Sequence, residues 1–294
     1  VFPLKATAGE KIFYGINYVI LSLAGLSCLI PLIHIISLSL SDSHAIMSGY
    51  VTLWPVGWSL ESYSALFKGT QIVRAFQNSI EITVIGIVLS MAFTIMAAYP
   101  LSRKDFNARR FFTLAIVFTM LFSGGLIPTF LLVKSLGLVN TYGSLWLPGL
   151  ISTFNMLIMK SFFENIPEEL MEAAKMDGCG EARLLIQIIL PLSLPVLATL
   201  TLFYGVGYWN SFFSLLIYIQ DSNKVNLAVM VQQMIQSQSL MQEINNLQPD
   251  DIQQMTPESI KASGIIVMMV PMLIVYPFLQ KYFVKGVMLG AIKG

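Results

Sequence analysis

Charge is what this 294-residue chain has least of. Only 11% of its residues are Asp, Glu, Lys or Arg, whereas a soluble domain carries about 25%. So few charges cannot coat a water-facing surface. Hydrophobic residues make up 55% of the chain and mean hydropathy is +0.72. The solvent for much of the chain is therefore lipid. The two cysteines, Cys28 and Cys179, fall in different compartments in the topology below, so neither a disulfide framework nor a zinc site is expected. His34 and His44 stand alone and read as buried or interfacial side chains before they read as ligands. A net charge of +1 supplies no field for nucleic acid or acidic partners. No phosphate loop, nucleophile elbow or metal-ligand run occurs, so the chain is expected to be no enzyme, to hold no metal and to carry no cofactor of its own.

What is present is a set of long apolar runs. A helix needs about 20 apolar residues to cross the hydrocarbon core. Six stretches qualify: Gly15–Ser37, Ser79–Leu101, Phe111–Val133, Gly143–Phe163, Leu192–Tyr218 and Ala262–Phe283. The first is too long, and lacks the small-residue cleavage site, for a secretory signal peptide. Without strand-like alternation these runs read as helices, since backbone groups in lipid must bond internally. The expected fold is all-α: a single transmembrane domain over residues 1–294 with six transmembrane helices. With both termini inside, the inner segments hold twelve of the basic residues, including Arg103, Lys104, Arg109 and Arg110, and the outer segments five. That bias sets a multi-pass orientation in the cytoplasmic membrane with both termini cytoplasmic.

Three connections stand out. The outer segment Leu38–Asn78 carries Trp54, Pro55, Trp58 and Tyr63, an interfacial composition expected to lie along the outer membrane surface. The outer segment 219–261 is long and rich in Gln, Asn and Ser. Loops of that length are functional or disordered. Its Met234, Met241 and Ile244 approximate one helical face, which suits either packing on the outer bundle or contact with a partner.

The inner segment 164–191 reads as a helix pair. Asn165 or Ile166 caps, Pro167 suits the first helical position, and Glu168 and Glu169 complement the positive end of the helix dipole. Leu170, Ala173, Ala174 and Asp177 follow at helical spacing until Gly178 turns the chain. Leu184, Leu185, Ile188 and Ile189 line a second helix, which Pro191 breaks before the fifth span. Ala173 and Ala174 are small enough for another surface to approach, and Glu172 and Asp177 offer it charge. Physics alone leaves two readings: an interfacial connector, or a docking site.

Inside the bundle, polar and aromatic groups need a reason. The fifth run has Tyr204, Tyr208, Trp209, Asn210 and Ser211, suited to stacking on sugar rings and bonding hydroxyls, or equally to an outer aromatic belt and helix packing. Glu81 either bonds polar neighbours or faces outer water. Gly124, Gly125 and Pro128 mark either a gating bend or close helix packing.

Glu172-Ala173-Ala174, Gly178, Ile188, Leu190 and Pro191, at these spacings, resemble the EAA loop of ATP-binding-cassette importer permeases. Asn78-Ser79, Ala97-Ala98-Tyr99 with Ser102-Arg103, Trp209-Asn210 and the tail Gly290-Ala291-Ile292-Lys293-Gly294 resemble the carbohydrate-uptake branch. The resemblance runs from Ile12 to Gly294. It is to sugar permeases of the maltose permease G subunit type, nearest to those of oligouronide importers for alginate and pectin fragments. Cys179-Gly180 departs from the Ala or Ser with Asn or Ser frequent in that family. The resemblance implies an oligosaccharide substrate, a second homologous permease subunit, two ATP-binding subunits that hold ATP and Mg, and an extracytoplasmic solute-binding protein. It further implies that Glu168, Glu172, Ala173, Ala174, Asp177, Gly178, Ile188, Leu190 and Pro191 form the coupling loop docked on an ATPase subunit. The tail 290–294 is expected to reach the ATPases, and Gln236, Met241, Ile244 and Asn245 the binding protein. The rival reading is an ion-coupled secondary sugar carrier acting alone, which predicts mid-membrane carboxylates. This chain has little beyond Glu81 to offer there. A membrane enzyme lacks any catalytic constellation.

Overall fold

The computed structural model of the chain describes residues 7–236 and 257–291, with side chains in the last helix described from 258 to 278. The described residues fold into two units. One comprises residues 7–72, 233–236 and 257–269, and the other residues 73–232 and 270–291.

In the first unit, α1 (Ala8–Ser39) starts from a capping box in which Thr7 accepts from the Glu10 amide and the Glu10 carboxylate accepts from the Thr7 amide. Its apolar side chains stand open, Tyr18 at 70% and Leu23 at 62%. In water such a surface would drive collapse, so a membrane or a partner must cover it. Past α1 the chain folds back through α2 (Ser43–Met47) and α3 (Glu61–Gly69). Hydroxyls at the end of α1 hold this segment: Ser37 donates to the Leu53 carbonyl, Ser41 accepts from the Val56 amide and Tyr63 donates to Ser39. His34 Nδ1 lies 2.7 Å from the Thr52 carbonyl, a structural role rather than a ligand's. Trp54 and Trp58 are 80% and 76% exposed.

The second unit is built on α4 (Ile72–Ser102), a 31-residue helix. Next come α5 (Arg109–Leu121) and α6 (Leu126–Ser135), bent by 112° at the Ser123-Gly124-Gly125 break. Gly125 sits at φ +85°, open to glycine without strain. The fourth expected span is not one helix. It is α7 (Gly143–Trp146), an irregular stretch through Pro148 and Gly149, and α8 (Thr153–Glu164) capped by Ser152. Pro148 cannot donate a helical bond. The inner pair is α9 (Glu168–Met176) and α10 (Glu181–Leu184), the latter running through a π-helical turn (Leu185–Ile189) into α11 (Leu190–Leu192). Pro191 does not end this helix as expected. It lies inside the continuous helical stretch Glu181–Leu192, just past the π-helical turn. The 83° bend comes two residues later, before α12 (Leu194–Trp209), where the Ser193 hydroxyl donates to the Ile189 carbonyl. A break at Asn210–Phe212 separates α13 (Phe213–Tyr218), so the fifth expected span is also divided. α14 (Leu227–Gln236) and α15 (Pro257–Ala291) complete the described chain.

The protein is thus an all-α membrane protein. Among the described residues three helices are long and apolar enough to cross a membrane, or up to five spans if each bent pair counts as one.

Candidate functional site

The inner helix pair is held on the bundle by its apolar face. Met171 and Ala174 of α9, with Leu184 and Ile189 beyond the corner, join a buried cluster with Ala98, Leu101, Met156, Met159 and Phe163. The other face of α9 is open: Glu172, Ala173 and Lys175 are exposed, and Met176 is 88% exposed. Ala174 thus differs from expectation. It faces its own bundle, and only Ala173 offers a small surface outward. Pro167 is the N-cap, with Glu168 and Glu169 in the first turn. Gly178 turns the corner at φ +79°, while its amide and that of Cys179 close onto the Lys175 and Ala174 carbonyls. Asp177 is exposed, Ile188 and Leu190 are half-buried, and Pro191 is exposed.

Polar bonds tie this loop to the inner end of α4. Lys104 pairs with Glu168 at 2.8 Å, and Lys175 with Glu181 at 2.8 Å. The Tyr99 hydroxyl donates to Glu181 at 2.5 Å and accepts from Arg103 at 2.8 Å. The Arg103 guanidinium also lies 4.5 Å from the centre of the Tyr99 ring and contacts the Met171 sulfur. The Lys175 ammonium and the Tyr99 hydroxyl hold the Glu181 carboxyl below its ordinary value, and Glu181 in turn raises Lys175.

A cavity of about 780 Å³ opens beside α12. Phe154, Asn155, Tyr204, Tyr208, Ser211 and Tyr276 are among its lining residues, and none of the described lining residues is charged. Of the expected pathway residues, Tyr204, Tyr208 and Ser211 line it; Trp209 and Asn210 do not. Trp209 is buried edge-on to Phe76, and the Asn210 amide donates to the Val206 carbonyl. The tyrosine hydroxyls are already committed. That of Tyr204 accepts the Ser152 amide at 3.0 Å and bonds Thr94 at 2.7 Å; that of Tyr208 bonds Ser90 at 2.8 Å. Sequence reasoning missed Asn155 and Tyr276. Asn155 carried a legible signal, an amide side chain inside an apolar run.

The start of the segment 219–261 is pinned to the opposite end of α4. The Asn78 amide donates to the carbonyls of Asn223 and Val225 at 2.9 and 2.8 Å, and Ser79 accepts from the Leu227 amide at 2.8 Å. Asn140, at φ 61°, accepts from the amides of Gln220 and Asp221, and Lys224 donates to its carbonyl. Burial pushes the Tyr142 phenol up to about 12, so it stays protonated and donates to the Lys224 carbonyl. Of the expected binding-protein contacts, Gln236 is exposed at the end of α14. Met241, Ile244 and Asn245 lie outside the described residues, as do Ile292, Lys293 and Gly294 of the tail, whose Gly290 and Ala291 end α15.

Comparison with known proteins agrees with this architecture. Residues 84–289 match the family described as binding-protein-dependent transport system inner membrane component. The polygalacturonan/rhamnogalacturonan transport system permease protein YtcP of Bacillus subtilis is 42% identical over 97% of this chain and 99% of its own length. Protein LplC of the same organism is 39% identical over 100% of this chain and 99% of its own. A chain in the crystal structure of a bacterial ABC transporter involved in the import of the acidic polysaccharide alginate superimposes with a TM-score of 0.87 at 31% identity, covering 95% of this chain and 99% of that one. The chain therefore belongs to the binding-protein-dependent transport system inner membrane components, and is a non-catalytic permease subunit of an ABC importer that works with a solute-binding protein and ATPase partners.

Proposed function

We propose that the chain is one of two homologous permease subunits that carry acidic oligosaccharides, oligouronides of the pectin or alginate kind, into the cytoplasm. It crosses the membrane six times with both termini inside, counting each bent pair and the divided segment 143–163 as one span. Two ATPase subunits bind ATP and Mg. One of them seats the inner loop 164–191, and a solute-binding protein meets the outer loop 219–261. The observation that carries this reading is the open face of α9, with Glu172, Ala173 and Met176 exposed beside a glycine corner whose buried side is already satisfied. An idle connector has no use for such a face. The tail 290–294 meets the ATPases, as the family resemblance implies.

The substrate class rests on the relatives, whose names speak of polygalacturonan, rhamnogalacturonan and alginate. The cavity suits the part of a sugar that all of these share. Phe154, Tyr204, Tyr208 and Tyr276 offer ring faces, while Asn155, Ser211 and Ser214 offer polar groups. Its uncharged lining leaves recognition of carboxylates to the partner permease and the binding protein.

Gly178→Asp tests the reading. A side chain at φ +79° costs roughly 1–2 kcal/mol, and an unpaired charge in an interface costs more. Among the described residues, none beyond its chain neighbours lies within 4 Å of the added Cβ, so beyond this backbone strain the damage falls on docking. The variant should insert normally but lose the co-purifying ATPases. Wild-type recovery of ATPases and transport would remove the docking assignment.

A further inference from the structure

Helix α4 carries polar anchors at both ends, and they reach different machinery. At its outer end the Asn78 amide bonds two carbonyls at the start of the outer loop, and Ser79 holds the Leu227 amide. At its inner end Tyr99 bonds Glu181 of the inner helix pair, and Arg103 contacts both Tyr99 and Met171. Between Asn78 and Tyr99 the helix is unbroken, and its Pro100 lies beyond the last of those residues. The separation is about 32 Å at 1.5 Å per residue. In the middle, Ser90 and Thr94 are bonded to Tyr208 and Tyr204 of α12. Tyr208 lies flush on α4 because Gly86 has no side chain to hold it off. The rod is thus stiff along its length, braced at its centre and fastened at each end. None of these anchors is needed to make a helix that already satisfies its own backbone.

We propose that α4 is the strut that carries the arrival of loaded binding protein at the outer loop to the ATPase-docking loop, with Asn78 and Tyr99 as its positioning residues. The inference rests on the importer reading above. A displacement of the segment 223–227 pulls on Asn78 and Ser79. The rod transmits it, and Tyr99 and Arg103 deliver it to Glu181 and Met171 on either side of the Gly178 corner. The tie to α12 makes the two helices move together, so the cavity lined by Tyr204 and Tyr208 changes shape in the same step.

Spatial continuity alone does not establish coupling, so the test is a double-mutant cycle. The complete complex, in nanodiscs with its partner permease and ATPases, is assayed with and without binding protein charged with trigalacturonate. Asn78→Ala, Tyr99→Phe and the double variant are compared with the unmodified complex. Tyr99→Phe removes only the hydroxyl and keeps the ring under Arg103. All three should assemble and hydrolyse ATP without binding protein to within about two-fold of the unmodified complex. Stimulation by loaded binding protein should fall about 5-fold or more in each single variant. The double variant should fall no further than the weaker single one, because cutting a severed strut again removes nothing. If Asn78→Ala does not assemble, Ser79→Ala takes its place in the cycle. Undiminished stimulation in either single variant overturns the strut, as do losses that multiply in the double. An unmodified complex whose ATPase ignores loaded binding protein overturns the importer reading, and the strut with it.

Discussion

Adding one methyl group to α4 at Gly86 tests how closely the two central helices of this unit approach. An ideal Cβ at that position would stand 2.7 Å from two ring carbons of Tyr208 and 2.9 Å from a third. Real contacts of that length do not persist, so the ring must move. It is not free to do so, because its hydroxyl is bonded to Ser90 at 2.8 Å. Overpacking of this kind costs about 1–3 kcal/mol, and a lost interhelical hydrogen bond in a membrane adds about 0.6 kcal/mol. Alanine gains roughly 1 kcal/mol over glycine inside a helix, which masks part of the loss. Gly207 removes that ambiguity. It lies in α12, and a Cβ there meets nothing within 4 Å. Gly207→Ala therefore gains the same propensity without the clash. Melting of the purified complex, followed by size-exclusion chromatography, should place Gly86→Ala below Gly207→Ala by roughly 3–6 °C. Tyr208→Ala in the Gly86→Ala background should recover part of the difference, since the two sites interact directly. Equal melting of the two alanine variants would refute the close approach of α4 and α12.

A single cysteine at Ser237, in a variant lacking Cys28 and Cys179, should react with an impermeant thiol reagent from outside, and one at Asn107 should not; the reverse pattern would invert the topology. Deleting residues 236–248 should leave assembly and basal ATP hydrolysis intact while stimulation by loaded binding protein falls sharply, and full stimulation would move that contact to the outer segment 38–78. The Glu181 link has a defined pH window. Its depressed carboxyl stabilises the fold above the ordinary value of 4.5 and loses that contribution as pH falls through the depressed value, whereas the raised Lys175 contributes below 10.5 and loses it as pH rises through the raised value. Glu181→Gln should therefore differ from wild type in melting temperature at neutral pH, and the difference should vanish in acid.

Hydropathy located the helices well where one run makes one helix. The expected Ser79–Leu101 lies inside α4, and Gly15–Ser37 inside α1. It failed where an apolar run contains irregular backbone, because hydropathy weighs side chains and is blind to the main chain. In the run 143–163 the signal was present in Pro148-Gly149. What could not be read is why the break is tolerated. Ser152 there donates its amide to the Tyr204 hydroxyl, 52 residues away in sequence. Non-helical backbone within an apolar run persists when protein or a cavity satisfies it, and Gly149 and Ser152 both line the cavity. The inner corner was legible for the opposite reason. Its capping proline, acidic first turn and terminal glycine are local chemistry, and each sits within a residue of its expected place. Which alanine faces outward was not legible, since neighbouring positions on a short helix differ by 100° and the direction of the bundle is a tertiary fact.

The tyrosines of α12 were left open between pathway and packing by their sequence context, and the structure shows the packing. Each uses its hydroxyl for packing, bonding to α4 through Thr94 or Ser90. Each also lines the cavity. A phenol divides in this way because its polar atom is at the tip and its apolar area is in the ring. Hydroxyls already paired inside the bundle gain little by turning toward a sugar, since each would abandon a buried partner to do so. On the proposed reading, passing sugars meet the rings, and the hydrogen bonds along this wall fall to Asn155, Ser211 and Ser214. Contact by stacking is tolerant of which sugar passes and loose enough to release it. Those are the properties a conduit needs once a separate binding protein has done the selecting.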